Sequence, residues 1–163
     1  MGLRPGRCYR RLERPYTRQS KRVPKKGYVK GVPGSKITQF ESGKKAEYDR
    51  TLLLISNRDV QIRDNSLEAA RVMAAQTLEK GVGKTGDYFL KVRVFPHHVL
   101  RENKMITGAG ADRVQTGMQR AFGKAVGIAC QLRKNQPLFT VYCAKEDALK
   151  AKQALMSART RMP

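Results

Sequence analysis

Acid is what this sequence is shortest of. Its 163 residues hold 13 Asp and Glu against 34 Lys and Arg, a formal net charge of +21. Carboxylates this few, scattered over predicted helices and turns, nominate no pair for general acid–base work. Histidine is scarcer still. His97 and His98 are adjacent, and on a strand adjacent side chains point to opposite faces, so they cannot chelate one ion. The three cysteines, Cys8, Cys130 and Cys143, are odd in number and form no CxxC pair. Neither a zinc site nor a disulfide framework is expected, and idle thiols suit a reducing cytoplasm. No window approaches the roughly 18 consecutive apolar residues of a spanning helix. The opening MGLRPGRCYRRLERP has no apolar signal core and no amphipathic stripe, and Gly6 stands where N-myristoylation wants Ser or Thr. No membrane partner, metal or cofactor is expected.

Signatures of nucleotide chemistry are also missing. Gly81-Val-Gly83-Lys84-Thr85 ends like a P-loop, but Leu78 stands where its first glycine belongs. The segment also closes a predicted helix instead of opening one, presenting carbonyls where phosphate needs amides. Gly108-Ala-Gly110-Ala-Asp-Arg113 puts an arginine where a dinucleotide fingerprint needs a small residue, and no βαβ unit surrounds it. There is no Gly-x-Ser-x-Gly elbow. No enzyme and no small-molecule substrate are expected.

What is present is cationic, and its place is uneven. Residues 1–30 carry eleven Arg and Lys against a single acid, Glu13, about half of the excess charge in under a fifth of the length. Pro5, Pro15 and Pro24 interrupt any helix there, and the few apolar residues follow neither structural period. Free in solution such an arm cannot bury enough surface to offset its ordering entropy. Arginine outnumbers lysine in it, interleaved with Tyr9, Tyr16 and Tyr28. The guanidinium fork takes phosphate with two hydrogen bonds and stacks on bases, as tyrosine does. The bland alternative is a solvated basic tail. A second cationic region, ENKMITGAGADRVQTGMQRAFGKAVG at 102–127, combines glycines that let backbone pass close to a phosphate chain with Lys104, Arg113, Arg120 and Lys124. Its bland alternative is a long surface loop with incidental charge.

The remainder is patterned as a globular domain. Strands are predicted at Ile37–Phe40, at Thr51–Ile55 (as a buried strand), at Asp59–Arg63, at Tyr88–Phe95, at Val126–Leu132 and at Leu138–Cys143, with a brief resumption at Val99–Leu100. Helices are expected at Leu67–Lys80, with a capping box of Asn65 and Glu68 and its alanines packed against a sheet, and at Lys145–Arg159, burying Ala148, Ala151, Leu155 and Ala158. Few helical crossovers separate the strands, so the class is α+β with a mixed, largely antiparallel sheet. The expected organisation is a basic arm over 1–35 and one domain over 36–163, with a flexible glycine-rich loop at about 101–118.

Particular strings go further. Met1-Gly-Leu-Arg-Pro-Gly-Arg-Cys-Tyr-Arg10, Leu67-Glu-Ala-Ala-Arg71, Val92-Arg-Val-Phe-Pro-His97, Asn103-Lys-Met105, Gly108-Ala-Gly-Ala-Asp-Arg-Val-Gln-Thr-Gly-Met118 and Ala121-Phe-Gly-Lys124 together resemble the universal large-subunit ribosomal protein family, L-ten-e in archaea and eukaryotes and L-sixteen in bacteria, with an archaeal style. The resemblance implies an α/β-hammerhead fold, no catalysis, and a place in large-subunit rRNA beside neighbouring ribosomal proteins. It implies a loop, here about Met105 to Thr116, directed at tRNA and the peptidyl-transferase centre. Members of that family usually continue past the last helix into a further strand, where this sequence ends at Met162-Pro163.

The expected rRNA contacts are Arg4, Arg7, Arg10, Arg11, Arg14, Arg18, Lys21, Arg22, Lys25 and Lys26, joined by Lys91 and Arg93 from a sheet face. Lys104, Arg113, Gln115, Arg120 and Lys124 are expected near tRNA. A free RNA- or DNA-binding factor that does not reside on the ribosome is the alternative.

Overall fold

The structure is a computed structural model that describes residues 4–12, 29–83, 87–105, 108–110 and 117–163. Among the described residues, seven strands and two α-helices follow in the order β1 (Glu41–Gly43), β2 (Arg50–Ile55), β3 (Val60–Arg63), α1 (Asp64–Gly81), β4 (Tyr88–Val92), β5 (His98–Glu102), β6 (Lys124–Leu132), β7 (Pro137–Cys143) and α2 (Ala148–Arg159). They form two sheets. One has four strands in the order β1-β4-β7-β2, the other three in the order β3-β6-β5, and every pairing between these strands is antiparallel. The α+β class with a largely antiparallel arrangement and two helices is therefore observed.

Alternation assigns the faces. In the four-stranded sheet Leu90, Val92, Phe139 and Val141 are buried beneath the helices, in one core that also takes Val60, Ile62, Cys130 and Leu132 from the smaller sheet. At roughly 1.5–3 kcal/mol for each large apolar side chain removed from water, this shared core is the main stabilising term. Helix α1 supplies Leu67, Ala70, Ala74 and Leu78 to it, as its spacing predicts. Its alanines do more than meet a sheet: α1 and α2 pack side by side. An added Cβ on Gly81 would lie 3.4 Å from the Lys150 side chain.

Several expectations need correcting. The Thr51–Ile55 run is an outer strand, not a buried one: Leu53 and Ile55 are 54% and 52% exposed. A continuous apolar run marks a strand but carries no face information. The first strand lies at Glu41–Gly43 instead of Ile37–Phe40. Ile37 is buried outside any ladder, and the Phe40 carbonyl accepts from Val92 N–H at 2.8 Å. The capping box does not form. Helix α1 starts at Asp64 after Arg63, whose side chain makes no capping bond. Asp64 Oδ1 instead accepts from Asn65 N–H at 2.8 Å and its Oδ2 from Lys36 N–H at 2.9 Å, while Glu68 is held by Arg71 at 2.6 Å. Ala148 opens α2 only half-buried. As expected, Gly81-Val-Gly83 closes a helix, Val82 N–H donating to the Leu78 carbonyl at 2.8 Å. None of the described helices is long and apolar enough to cross a membrane.

Candidate nucleic-acid interface

The smaller sheet carries the first part of the arm. Residues 6–9 make a single 3-10 turn, and the chain around it is tied to β3 through its own carbonyls. Gln61 N–H donates to the Arg10 carbonyl and Gln61 Nε2 to the Tyr9 carbonyl, each at 2.9 Å. Arg63 Nη1 donates to the Arg4 carbonyl at 2.8 Å, and its guanidinium lies 5.4 Å from the centre of the Tyr9 ring. Strand β3 is an edge strand, and the arm takes up polar groups that an edge would otherwise leave to solvent. Gln61 is consequently buried beside Val60 and Ile62, although alternation alone assigns it to solvent.

Fixing the backbone through its carbonyls leaves the cationic ends free to point outward. Arg4, Arg7, Arg10 and Arg11 are all exposed. Among the described residues no ion pair forms to Arg7, Arg10 or Arg11, whereas Arg4 Nε lies 3.5 Å from Glu102 Oε2. Arg14, Arg18, Lys21, Arg22, Lys25 and Lys26 lie outside the described residues. The arm thus contains a docked stretch at 4–12, where composition alone predicted a loose one.

The long loop leaves the far side of the same sheet. Its root is narrower than the sequence suggested, since β5 runs to Glu102 and β6 begins at Lys124, the two residues paired. Gly123 sits against that pairing so closely that an added Cβ would fall 2.4 Å from the Glu102 carbonyl carbon and 2.7 Å from Asn103 N. Only a residue without a Cβ fits there. Next to it the Arg101 guanidinium lies 3.8 Å from the centre of the Phe122 ring, at cation–π distance. Glu102 Oε2 also lies 3.7 Å from Lys104 Nζ, so a single carboxylate ties the arm, through Arg4, to the start of the loop. Arg120 and Lys124 are exposed, and Arg113 and Gln115 lie outside the described residues.

Lys91 and Arg93 are placed differently. They project from the face of the four-stranded sheet opposite the helices, and both already hold protein partners. Lys91 Nζ lies 2.8 Å from Glu41 Oε1, and its hydrogen bond and charge hold the Glu41 carboxyl below the ordinary carboxylate range. Arg93 Nε donates to Thr140 Oγ1 at 2.9 Å and Nη2 to Tyr142 Oη at 3.0 Å. Nearby, Phe40 and the exposed Phe95 stack with ring centres 5.4 Å apart.

Cysteine and histidine behave as side chains of the fold. Cys130 and Cys143 are buried and Cys8 is exposed, all three as free thiols. Burial pushes the Cys130 thiol up to about 12. His97 is exposed, its Nδ1 3.1 Å from the Phe95 carbonyl, and His98 is buried. No His, Cys, Asp and Glu grouping suited to a metal occurs among the described residues. Sequence reasoning passed over Gln61, Arg63, Arg101 and Glu102, which position the arm and the loop. A glycine one residue before a strand, as at Gly123, was the one available signal.

Comparison with known proteins gives the chain a family. Residues 13–163 match the family described as ribosomal protein L16p/L10e. Among curated relatives, the large ribosomal subunit protein uL16 of Staphylothermus marinus is 47% identical over 165 residues, spanning 100% of this chain and 90% of the relative. The uL16 proteins of Archaeoglobus fulgidus and Haloarcula marismortui are each 44% identical, over 100% and 99% of this chain and 90% of each relative. The cationic arm, the glycine-rich loop and the antiparallel α+β body are thus those of a chain that belongs to the ribosomal protein L16p/L10e family.

Proposed function

We propose that this chain is a structural constituent of the large ribosomal subunit that grips large-subunit rRNA through its arm and holds its loop toward tRNA and the peptidyl-transferase centre. The observation that carries the reading is the docked arm segment, whose backbone is consumed by β3 while Arg7, Arg10 and Arg11 stand exposed without acidic partners among the described residues. Such a segment presents fixed cations to a phosphate chain at little further ordering cost. Arg4 and the arm cations from Arg14 to Lys26 extend this contact. Lys91 and Arg93 join it as lesser contacts, because each is already engaged. Lys104, Arg113, Gln115, Arg120 and Lys124 supply the loop's hydrogen bonds and charge toward tRNA, and neighbouring large-subunit proteins are further partners. The role is positional, with no substrate to turn over.

Sedimentation tests the reading. A tagged full-length chain is expected to co-migrate with the large subunit in sucrose gradients and to remain there at moderate salt. Protein left at the top of a gradient that contains assembled subunits overturns the reading and favours a free nucleic-acid binder.

A further inference from the structure

Between the docked arm and the smaller sheet lies a cavity of about 280 Å³. We propose that it receives the base of a single unpaired adenine extruded from the bound RNA, an inference that rests on the rRNA reading above.

The lining argues for a base. Leu100, Val126 and Ile128 give an apolar wall, and Tyr9 contributes an aromatic one from the arm. The volume sits near the lower end of small-ligand sites, roughly 300–1,000 Å³, a scale that suits one planar ring system. Arg63 lies over the Tyr9 ring and also borders the cavity, and unstacked RNA bases dock on aromatic and guanidinium planes of this kind. Asp64 and Glu102 are the acids of the lining. Both are already engaged, Asp64 by the Asn65 and Lys36 amides and Glu102 by Arg4 and Lys104, so the apolar wall with the Tyr9 and Arg63 planes is what favours a base over a bare phosphate. Arg4, Lys36 and Lys104 border the same cavity, with Arg4 and Lys36 exposed, where they can meet the phosphates flanking an inserted nucleotide.

Asn65 selects the base. It borders the cavity, and its Oδ1 is buried without a hydrogen-bond partner among the described residues. A buried polar atom left in that state is costly and uncommon. A partial turn about the soft final torsion of the side chain brings the edge that carries both polar atoms toward the cavity. An Asn carboxamide pairs with the N6 and N7 edge of adenine through two hydrogen bonds. Guanine offers two acceptors at that edge and cannot complete the pair.

Two variants of the full chain test this. Gly127 borders the cavity, and an added Cβ there would make only an ordinary contact, 3.9 Å from Leu100 Cδ1. A side chain at Gly127 can therefore leave the backbone without a clash, so Gly127→Leu narrows the space, and Asn65→Leu removes the amide while keeping the size. Wild-type and variant chains are bound to transcribed large-subunit rRNA of Archaeoglobus fulgidus and probed with diethyl pyrocarbonate, which modifies adenine at N7, with thermal melting confirming that each variant is folded. The expected result is one adenine protected by the wild type and roughly tenfold more reactive with either variant, the scale of one lost bidentate base contact, while the remaining footprint is unchanged. An identical footprint for wild type and folded variants overturns the inference alone. Absence of any wild-type footprint overturns the rRNA reading as well. Free AMP is titrated in parallel: saturation at micromolar AMP would make this a mononucleotide site and overturn the RNA source.

Discussion

The two sheets of this protein treat their cations in opposite ways. On the four-stranded sheet Lys91 and Arg93 are absorbed into the fold, one by Glu41 and the other by Thr140 and Tyr142. On the three-stranded sheet the protein spends main-chain hydrogen bonds on holding the arm and leaves Arg7, Arg10 and Arg11 pointing outward. The same residue types are thus engaged by the protein at one end and left exposed at the other. What separates them is whether an acceptor stands within reach, as Glu41 does for Lys91 and Glu102 for Arg4, and as none does among the described residues for Arg7, Arg10 and Arg11. A count of positive charges cannot see that difference, and a register can.

The comparison breaks most completely if the shared core is removed. Phe139 is fully buried between the two regions' common core residues, and Phe139→Ala is expected to cost about 3–5 kcal/mol, read as a lowered midpoint in urea unfolding. The loop root is the next test. Gly123→Ala is expected to cost about 1–3 kcal/mol and to raise amide hydrogen exchange in the β5–β6 ladder near Glu102 and Lys124, leaving the four-stranded sheet protected. Unchanged exchange there would remove the clamp from the account.

A paired substitution sharpens the contrast directly. Arg93→Ala is expected to lower stability by about 1–2 kcal/mol through lost hydrogen bonds with little effect on the salt dependence of RNA binding. Replacing Arg7, Arg10 and Arg11 together by Ala is expected to leave unfolding nearly unchanged and to reduce the log–log salt slope by about 2–3. The opposite pattern would exchange the roles of the two sheets. The smallest effect concerns pH. The Cys130 thiol, ordinarily near 9, is raised to about 12 by burial. The folded chain therefore holds a proton that the unfolded chain releases, and the resulting stabilisation is complete below about 9 and is lost as pH rises toward 12. Cys130→Ala is expected to flatten that alkaline decline in denaturant midpoints, although buried Cys143, which shifts the same way, preserves part of it.

Much of this was legible in the sequence, for identifiable reasons. Period-2 alternation located β3, β4 and β6, an apolar run following a turn located β7, and period 3.6 located α1 and α2. The run at 51–55 misled because Leu52, Leu53, Leu54 and Ile55 carry no polar marker of the exposed face. Gln61 misled in the opposite sense. A polar residue between two core residues reads as solvent-facing, and its true cover is an arm some fifty positions earlier in the chain. Of the proposed contact residues, the charges were legible one by one, but their division into engaged and exposed depends on pairings such as Lys91 with Glu41 that no local pattern encodes.

The clamped root at Gly123 has one further consequence, which is a matter of leverage. About twenty residues separate the paired Glu102 and Lys124, and the glycine at their foot sets how closely the two ends of that span can stand. Once the ends are fixed, the entropy of closing a loop grows only with the logarithm of its length, about 0.6 kcal/mol for each doubling. A glycine that no side chain can replace is therefore a lever on length as well as on shape: with the foot secured, residues added or removed further out change the stability of the body little.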